Sequence, residues 1–227
     1  MCGRYATTRG AADLAALFEA DDETDGLAAD YNVAPTDPVP IVRLSRRTPG
    51  PVLSVARWGL VPSWAKDTRA AARMINARVE TVKTTRAYAT SFASRRCLVP
   101  ADGWYEWVRD GGRRQPYFMT SRDGSVLAFA GLWTVWGEGD ARLMTCTILT
   151  TPAVGELTAV HDRMPLLLPR QRWRGWLDGA DPVPPPAEHL ESLEIRPVGA
   201  AVGDVRNDGP HLVERVPVET PVDLTLF

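Results

Sequence analysis

Apolar and polar positions change their period several times along this chain, and each change marks an element. Leu14, Leu17 and Phe18 recur at helical spacing, so residues 11–20 are expected to form a helix, followed by an acidic, glycine-containing loop over 21–30. Tyr31-Asn32-Val33-Ala34-Pro35-Thr36 reads as extended, because proline pushes its predecessor away from the helical region. Apolar runs at 39–44 and 52–58 predict two strands around the turn-rich Thr48-Pro49-Gly50-Pro51. Val82, Tyr88 and Phe92 give a partial helical signal over 80–95. Five β-rich runs follow at 97–101, 104–109, 117–121, 126–135 and 143–151, several divided by Asp-Gly and Gly-rich turns. Helices are expected at 152–159 and 170–177. A Pro-rich connection at 181–186 leads to another short helix, and the tail 195–227 reads as irregular with short strand-like pieces.

No repeat is present, and helices interrupt the strands irregularly. That order predicts an α+β fold, a curved, barrel-like and mostly antiparallel β core with flanking helices, organised as one domain over 1–227. A chain of 227 residues, 44% of them hydrophobic, can bury a sizeable core. No apolar run reaches the roughly 18 residues of a membrane span, and no signal-peptide core precedes the first helix, so no membrane partner is expected. The three cysteines, Cys2, Cys97 and Cys146, form no CxxC, which predicts neither a disulfide framework nor a metal site and favours a reducing, cytoplasmic compartment. No cofactor is expected.

The net charge of −2 hides an asymmetry: 16 of the 26 basic residues but only 5 of the 28 acidic ones fall between Ile41 and Arg122. One sign concentrated in one stretch suits a phosphate-binding face, and equally suits a solvated surface. Eight tryptophans are many for this length, and most are expected to anchor the core or its rim.

Four polar islands carry candidate chemistry. Cys2 follows Met1, and removal of Met1 would leave an α-amine beside a thiol; such a 1,2-aminothiol condenses with an aldehyde to an imine and then closes a thiazolidine. An unprocessed, incidental cysteine is the other reading. Asn76 in Ile75-Asn76-Ala77-Arg78 stands at an expected strand-to-helix junction, where it either orients another group or caps a helix. Glu106 in Gly103-Trp104-Tyr105-Glu106-Trp107 is flanked by aromatics. On the same strand face as Trp104 it would be desolvated and suited to proton transfer; facing outward it would be an ordinary surface carboxylate. His161, beside Asp162 and Arg163, is either a tuned acid–base or a structural histidine near a helix end.

Six motifs in order then carry a resemblance: Met1-Cys2-Gly3-Arg4-Tyr5, Tyr31-Asn32-Val33-Ala34-Pro35, Trp58-Gly59-Leu60-Val61-Pro62-Ser63-Trp64, Ile75-Asn76-Ala77-Arg78-Val79-Glu80-Thr81, Ala101-Asp102-Gly103-Trp104-Tyr105-Glu106-Trp107 and His161-Asp162-Arg163-Met164-Pro165. The chain resembles the SOS response-associated peptidase (SRAP) family, whose members crosslink to abasic sites in single-stranded DNA. The resemblance implies that Cys2, freed of Met1 by the protein itself, is the covalent nucleophile. It implies that Asn76 holds the Cys2 amine and the sugar, that Glu106 shuttles protons, and that His161 helps open the cyclic sugar. Arg4, Arg78 and Arg163 match phosphate-holding positions. Pro35 and Trp64 match the region that wedges against bases, although Ala65 stands where some relatives carry a second Trp. The implied partner is abasic single-stranded DNA at replication forks, met by a monomer at the nucleoid. Two rival readings stay open on the residues alone: a cysteine peptidase or amidase using Cys2, His161 and Asn76, and a single-stranded DNA-binding module without chemistry.

Overall fold

The computed structural model describes residues 2–45, 48–110 and 112–217. In chain order the elements are β1 (Tyr5–Thr7), α1 (Ala11–Phe18), β2 (Asp21–Asp22), β3 (Asp30–Val33), β4 (Pro38–Leu44), β5 (Pro51–Trp58), β6 (Asn76–Arg78), α2 (Ala89–Ser94), β7 (Arg96–Ala101), β8 (Gly103–Asp110), β9 (Arg113–Ser121), β10 (Leu127–Trp136), β11 (Leu143–Pro152), β12 (Arg163–Pro165), α3 (Arg170–Leu177), α4 (Ala187–Glu191) and β13 (Leu193–Pro197).

The strands form two sheets. One is antiparallel throughout, in the order β13-β9-β8-β1-β3. The other runs β12-β11-β10-β7-β4-β5-β2 and closes on itself, because Thr145 and Cys146 of β11 pair with Arg57 and Trp58 of β5. The ring β11-β10-β7-β4-β5 is a small barrel, and the α+β class with a barrel-like core holds. Its closing pair is parallel, as are β6–β11 and β2–β5. Parallel neighbours are joined by long crossovers, so turn chemistry gives no local sign of them.

Alternation along the barrel strands sorts the core into two sets. Ile41, Val99, Phe129 and Ile148 pack with Tyr5, Trp104 and Met119 of the five-stranded sheet. Their neighbours Val42, Leu98, Ala128 and Leu149 pack with Leu14 and Phe18 of α1, Phe92 of α2 and Trp176 of α3. Both faces are buried, which is why these strands read as near-continuous apolar runs. Truncating one such residue, Leu98→Ala for example, removes about 2–5 kcal/mol. The buried Trp176 indole donates to the Cys97 carbonyl (2.9 Å), so α3 is fixed to β7 by a hydrogen bond as well as by area.

Three expected helices are shorter. Residues 80–88 form successive turns, and only Ala89–Ser94 is helical. The Thr84 and Thr85 hydroxyls both donate to the Thr81 carbonyl (3.2 and 2.9 Å), offering this stretch an alternative to a regular ladder. Over 152–159, β11 runs on to Pro152 and leaves a single 3-10 segment, Gly155–Ala159. The helix expected at 170–177 is α3, and α1 stops at Phe18 because Glu19 turns left-handed at φ 52°. The tail supplies β13 and two 3-10 turns, Ala200–Gly203 and Pro210–Val213; residues 218–227 lie outside the described residues. Among the described residues, no helix is long and apolar enough to cross a membrane.

One glycine directs the chain toward the site. Gly59, after β5, has φ 124° and donates its N–H to the Cys146 carbonyl (2.8 Å). A Cβ there would collide with the Ala71 carbonyl oxygen, so only glycine lets residues 60–75 fold back against the barrel.

Candidate active site

Tyr5 of β1 lies opposite Val33 of β3 and Trp104 of β8, which draws the start of the chain into the interior. Cys2 is 0% exposed, and its carbonyl accepts a hydrogen bond from Asn76 Nδ2 (2.7 Å). Asn76 opens β6 and is held from three sides. Ile148 N–H and Trp58 Nε1 donate to the Ile75 carbonyl (2.9 and 3.0 Å), and Tyr88 Oη donates to the Asn76 carbonyl (3.2 Å). Asn76 Oδ1 is buried and has no hydrogen-bond partner among the described residues. An unmet buried acceptor costs about 1–3 kcal/mol, which suits a position that receives a donor from a ligand. Asn76 is therefore neither a helix cap nor a turn residue: it begins a strand.

Glu106 sits in the middle of β8 opposite Tyr117, and is 5% exposed. Trp104 lies in the core between the sheets, whereas Tyr105 and Trp107 belong to the cluster on the other face. Alternation thus turns Glu106 inward, and the outward-facing reading is excluded. Burial raises its pKa, opposed by nearby positive charge that includes His161. Burial also pushes the Cys2 thiol well up, with Glu106 adding to the rise. A thiol so raised is protonated at neutral pH and needs a base before it attacks.

His161 follows the Gly155–Ala159 turn, and its N–H donates to the Leu157 carbonyl (3.1 Å). Nδ1 lies 2.9 Å from the Arg163 N–H and 2.7 Å from Asp162 Oδ1. Neutral Nδ1 accepts the first bond and protonated Nδ1 donates the second, so the two exclude each other. The four residues are linked in series: Asn76 bonds to the Cys2 carbonyl, Glu106 acts electrostatically on the Cys2 thiol, and His161 acts electrostatically on Glu106. Met1 lies outside the described residues. Among the described residues, no three His, Cys, Asp or Glu side chains gather as metal ligands.

The three arginines matched to phosphates stand in different situations. Arg78 is exposed, and its guanidinium makes no hydrogen bond or ion pair among the described residues. Arg4 is half-buried and donates through NH1 to Asn32 Oδ1 (2.6 Å) and the Val202 carbonyl (3.0 Å), tying β3 to the 200–203 turn. Arg163 makes a bidentate pair with Glu80 (2.6 and 3.0 Å) and donates to the Thr150 carbonyl (2.6 Å), so its charge is largely compensated. Pro35 sits in a tight turn in which Thr36 takes φ 83° and donates to the Trp58 carbonyl (2.8 Å). Such a conformation is costly for a β-branched residue and marks a rigid corner.

Trp64 is 55% exposed and carries the Arg86 guanidinium 4.6 Å above its ring. Sequence reading missed Arg86, as well as Trp58 and Tyr88 as the supports of Asn76. Trp58 at least lay inside a quoted motif. Arg86 sits 22 positions after Trp64 in a stretch expected to be regular helix, and nothing local links the two.

Residues 1–205 match the model of the SOS response associated peptidase (SRAP) family. Abasic site processing protein YoqW of Bacillus subtilis is 32% identical over 94% of this chain and 99% of its own length. Abasic site processing protein YedK of Escherichia coli is 31% identical over 95% of this chain and 100% of its own. Abasic site processing protein HMCES of Gallus gallus is 31% identical over 98% and 79%. A crystal structure of a Bacteroides thetaiotaomicron protein superposes with a TM-score of 0.82 at 21% identity, covering 95% of this chain and 100% of that one, and so shares the fold. With its motifs in register and nine-tenths of its length matched, the chain belongs to the SOS response associated peptidase family.

Proposed function

We propose that this chain captures abasic sites in single-stranded DNA as a covalent thiazolidine formed by Cys2, and so shields the lesion from strand cleavage. The observation that carries the reading is the convergence of a carboxamide and a buried carboxylate on Cys2. The names of the relatives, abasic site processing proteins, point to the same substrate. The whole chain, 1–227, acts as one domain and as a monomer, on strands exposed at replication forks and at the nucleoid in the cytoplasm.

Hydrolysis of the Met1–Cys2 peptide bond, carried out by the protein itself, first frees the Cys2 amine. The abasic sugar is mostly a cyclic hemiacetal. His161 supplies a proton to the ring oxygen as the C1′–O4′ bond breaks and the anomeric hydroxyl loses its own, giving the open aldehyde. The amine adds to C1′, and protonated Glu106 delivers the proton with which the carbinolamine oxygen leaves as water. Burial, which holds Glu106 protonated to higher pH than an exposed carboxylate, is what equips it for this step. The resulting carboxylate then takes the thiol proton, sulfur attacks the imine carbon, and the nitrogen becomes a secondary amine in a five-membered ring. An imine left open would act as an electron sink and permit β-elimination of the 3′ phosphate; ring closure removes it. Asn76 fixes the Cys2 backbone, while Arg4, Arg78 and Arg163 hold phosphates and Pro35 and Trp64 pack on bases beside the lesion.

The test uses mature, untagged protein and a single-stranded oligonucleotide with one abasic site, resolved on a denaturing gel. A shifted band lost in Cys2→Ala, with intact mass showing Met1 removed and one water lost on condensation, supports the reading. Absence of the band from protein proven to lack Met1 refutes covalent capture.

A further inference from the structure

A cavity of about 530 Å³ opens between β4, α2, β10 and the start of β11. Its wall is built around Trp133. The Arg43 guanidinium lies 5.0 Å from that ring and the Arg95 guanidinium 5.9 Å, and Arg142 stands at the rim. Among the described residues Glu23 is the one carboxylate lining it, and Glu23 is already paired with Arg43 (2.7 Å). Arg95 is held in place by a bond from NH1 to Thr134 Oγ1 (2.8 Å), and Arg142 is exposed, its guanidinium making no hydrogen bond or ion pair among the described residues. Three cations and one anion therefore share a concave, partly apolar site. Like charges held together on an aromatic surface focus a positive field, which an incoming anion would satisfy. Leu44, Val135 and Met144 add apolar wall on which a planar base can rest.

The position of this cavity relates it to the lesion site. Met144 lines it, and Thr150, six residues further along β11, lies opposite Arg78 of β6, which sets the two about 20 Å apart. At the cavity's end of β10, Trp136, opposite Leu143, donates to the Ala65 carbonyl (2.8 Å) and fixes the loop that carries Trp64 and its stacked Arg86. The Trp64 loop is thus tied to β10 three residues from Trp133.

We propose that the Trp133 cavity is a second nucleotide-binding subsite, which takes a phosphate and its base from the same single strand at a distance from the lesion. The ligand class rests on the charge and shape of the cavity; its assignment to the DNA strand rests on the function proposed above. Arg95 and Arg142 receive the phosphate, and Arg43, committed to Glu23, shapes the wall. The subsite gives grip on long strands without any part in the chemistry.

The experiment compares intact oligonucleotides of about 6 and about 20 nucleotides, chosen to cover one patch or both, with the parent protein and with Arg95→Gln/Arg142→Gln. Binding of the long strand by the variant is expected to weaken on the order of tenfold, with a salt slope shallower by about 1.4 for two lost phosphate contacts, while binding of the short strand is unchanged. Equal loss on both lengths, or none on either, overturns the subsite. Adduct formation on a short abasic strand is measured in parallel and is expected to be unaffected. If no adduct forms with either protein but the length-dependent loss remains, the covalent reading fails and the subsite stands. A mononucleotide titrated alone separates the two sources of the ligand: tight binding of it that Arg95→Gln/Arg142→Gln abolishes, with no length dependence for DNA, overturns the assignment to a strand. Arg95→Gln/Arg142→Lys, which keeps the charge at position 142, is expected to recover part of the long-strand affinity lost in Arg95→Gln/Arg142→Gln, and no recovery refutes a phosphate contact at that position.

Discussion

Cys2 and Glu106 are almost wholly buried, while Trp64 and Arg78 stand in solvent, and the two regions treat charge in opposite ways. Around Cys2, removal of water raises the pKa of both the thiol and the carboxylate, so each holds its proton to higher pH than it would in solvent. Around Trp64 the charges stay hydrated, and each contact is individually weak and screened by salt. The buried region is suited to moving protons and the exposed one to holding a polyanion. Arg163 lies between these extremes: its side chain is 10% exposed, and Glu80 answers its charge.

The contrast is broken most severely at Glu106. Glu106→Gln is expected to slow single-turnover adduct formation by about 10²–10⁴-fold while leaving binding of intact single strands unchanged. Equal losses in rate and binding would move Glu106 out of the chemistry. The same substitution has a stability signature. Because the folded pKa of Glu106 is raised, its contribution to stability is full below the unfolded value near 4.5 and is lost as pH rises through the folded value. Glu106→Gln should therefore melt at a higher temperature than the parent at neutral pH, with the difference vanishing below about pH 4. A lower melting temperature at neutral pH would show that the carboxylate is paid for by contacts stronger than its burial.

Glu80 has the opposite sign. Its bond to Arg163 holds its pKa down, so its contribution is present above the unfolded value near 4.5 and lost as pH falls through the folded one. Glu80→Gln is expected to flatten the acid side of the stability curve, measured by melting between pH 6 and pH 3. An unchanged acid limb would place the pair in the class of ion pairs that contribute nothing measurable.

The arginines sharpen the comparison at smaller scale. Arg78→Ala should reduce the slope of log affinity against log salt by about 0.7. Arg163→Ala should change it less, because Glu80 already neutralises that charge; the reverse order would mean that DNA displaces Glu80. The smallest effect is expected at Arg86→Ala, a loss of about 0.5–1 kcal/mol in single-strand affinity through the released Trp64 ring. Unchanged affinity would limit Arg86 to packing.

Local pattern determined a good part of this molecule. The period of Leu14, Leu17 and Phe18 fixed α1, the 170–177 helix is α3, and the alternation about Glu106 limited that carboxylate to two orientations, of which the fold takes the inward one. Six motifs in register identified the family. These are short-range properties, set by neighbours within a few residues. Tertiary structure alone decided the parallel closure of β5 on β11, the support of Asn76 by Trp58 and Tyr88, the stacking of Arg86 on Trp64, and the capture of Arg163 by Glu80. It also decided the state of the Cys2 thiol, whose pKa depends on how much water the barrel and the five-stranded sheet exclude together. Each of these joins residues far apart in the chain, and desolvation belongs to the packed whole, so no window of sequence carries either one.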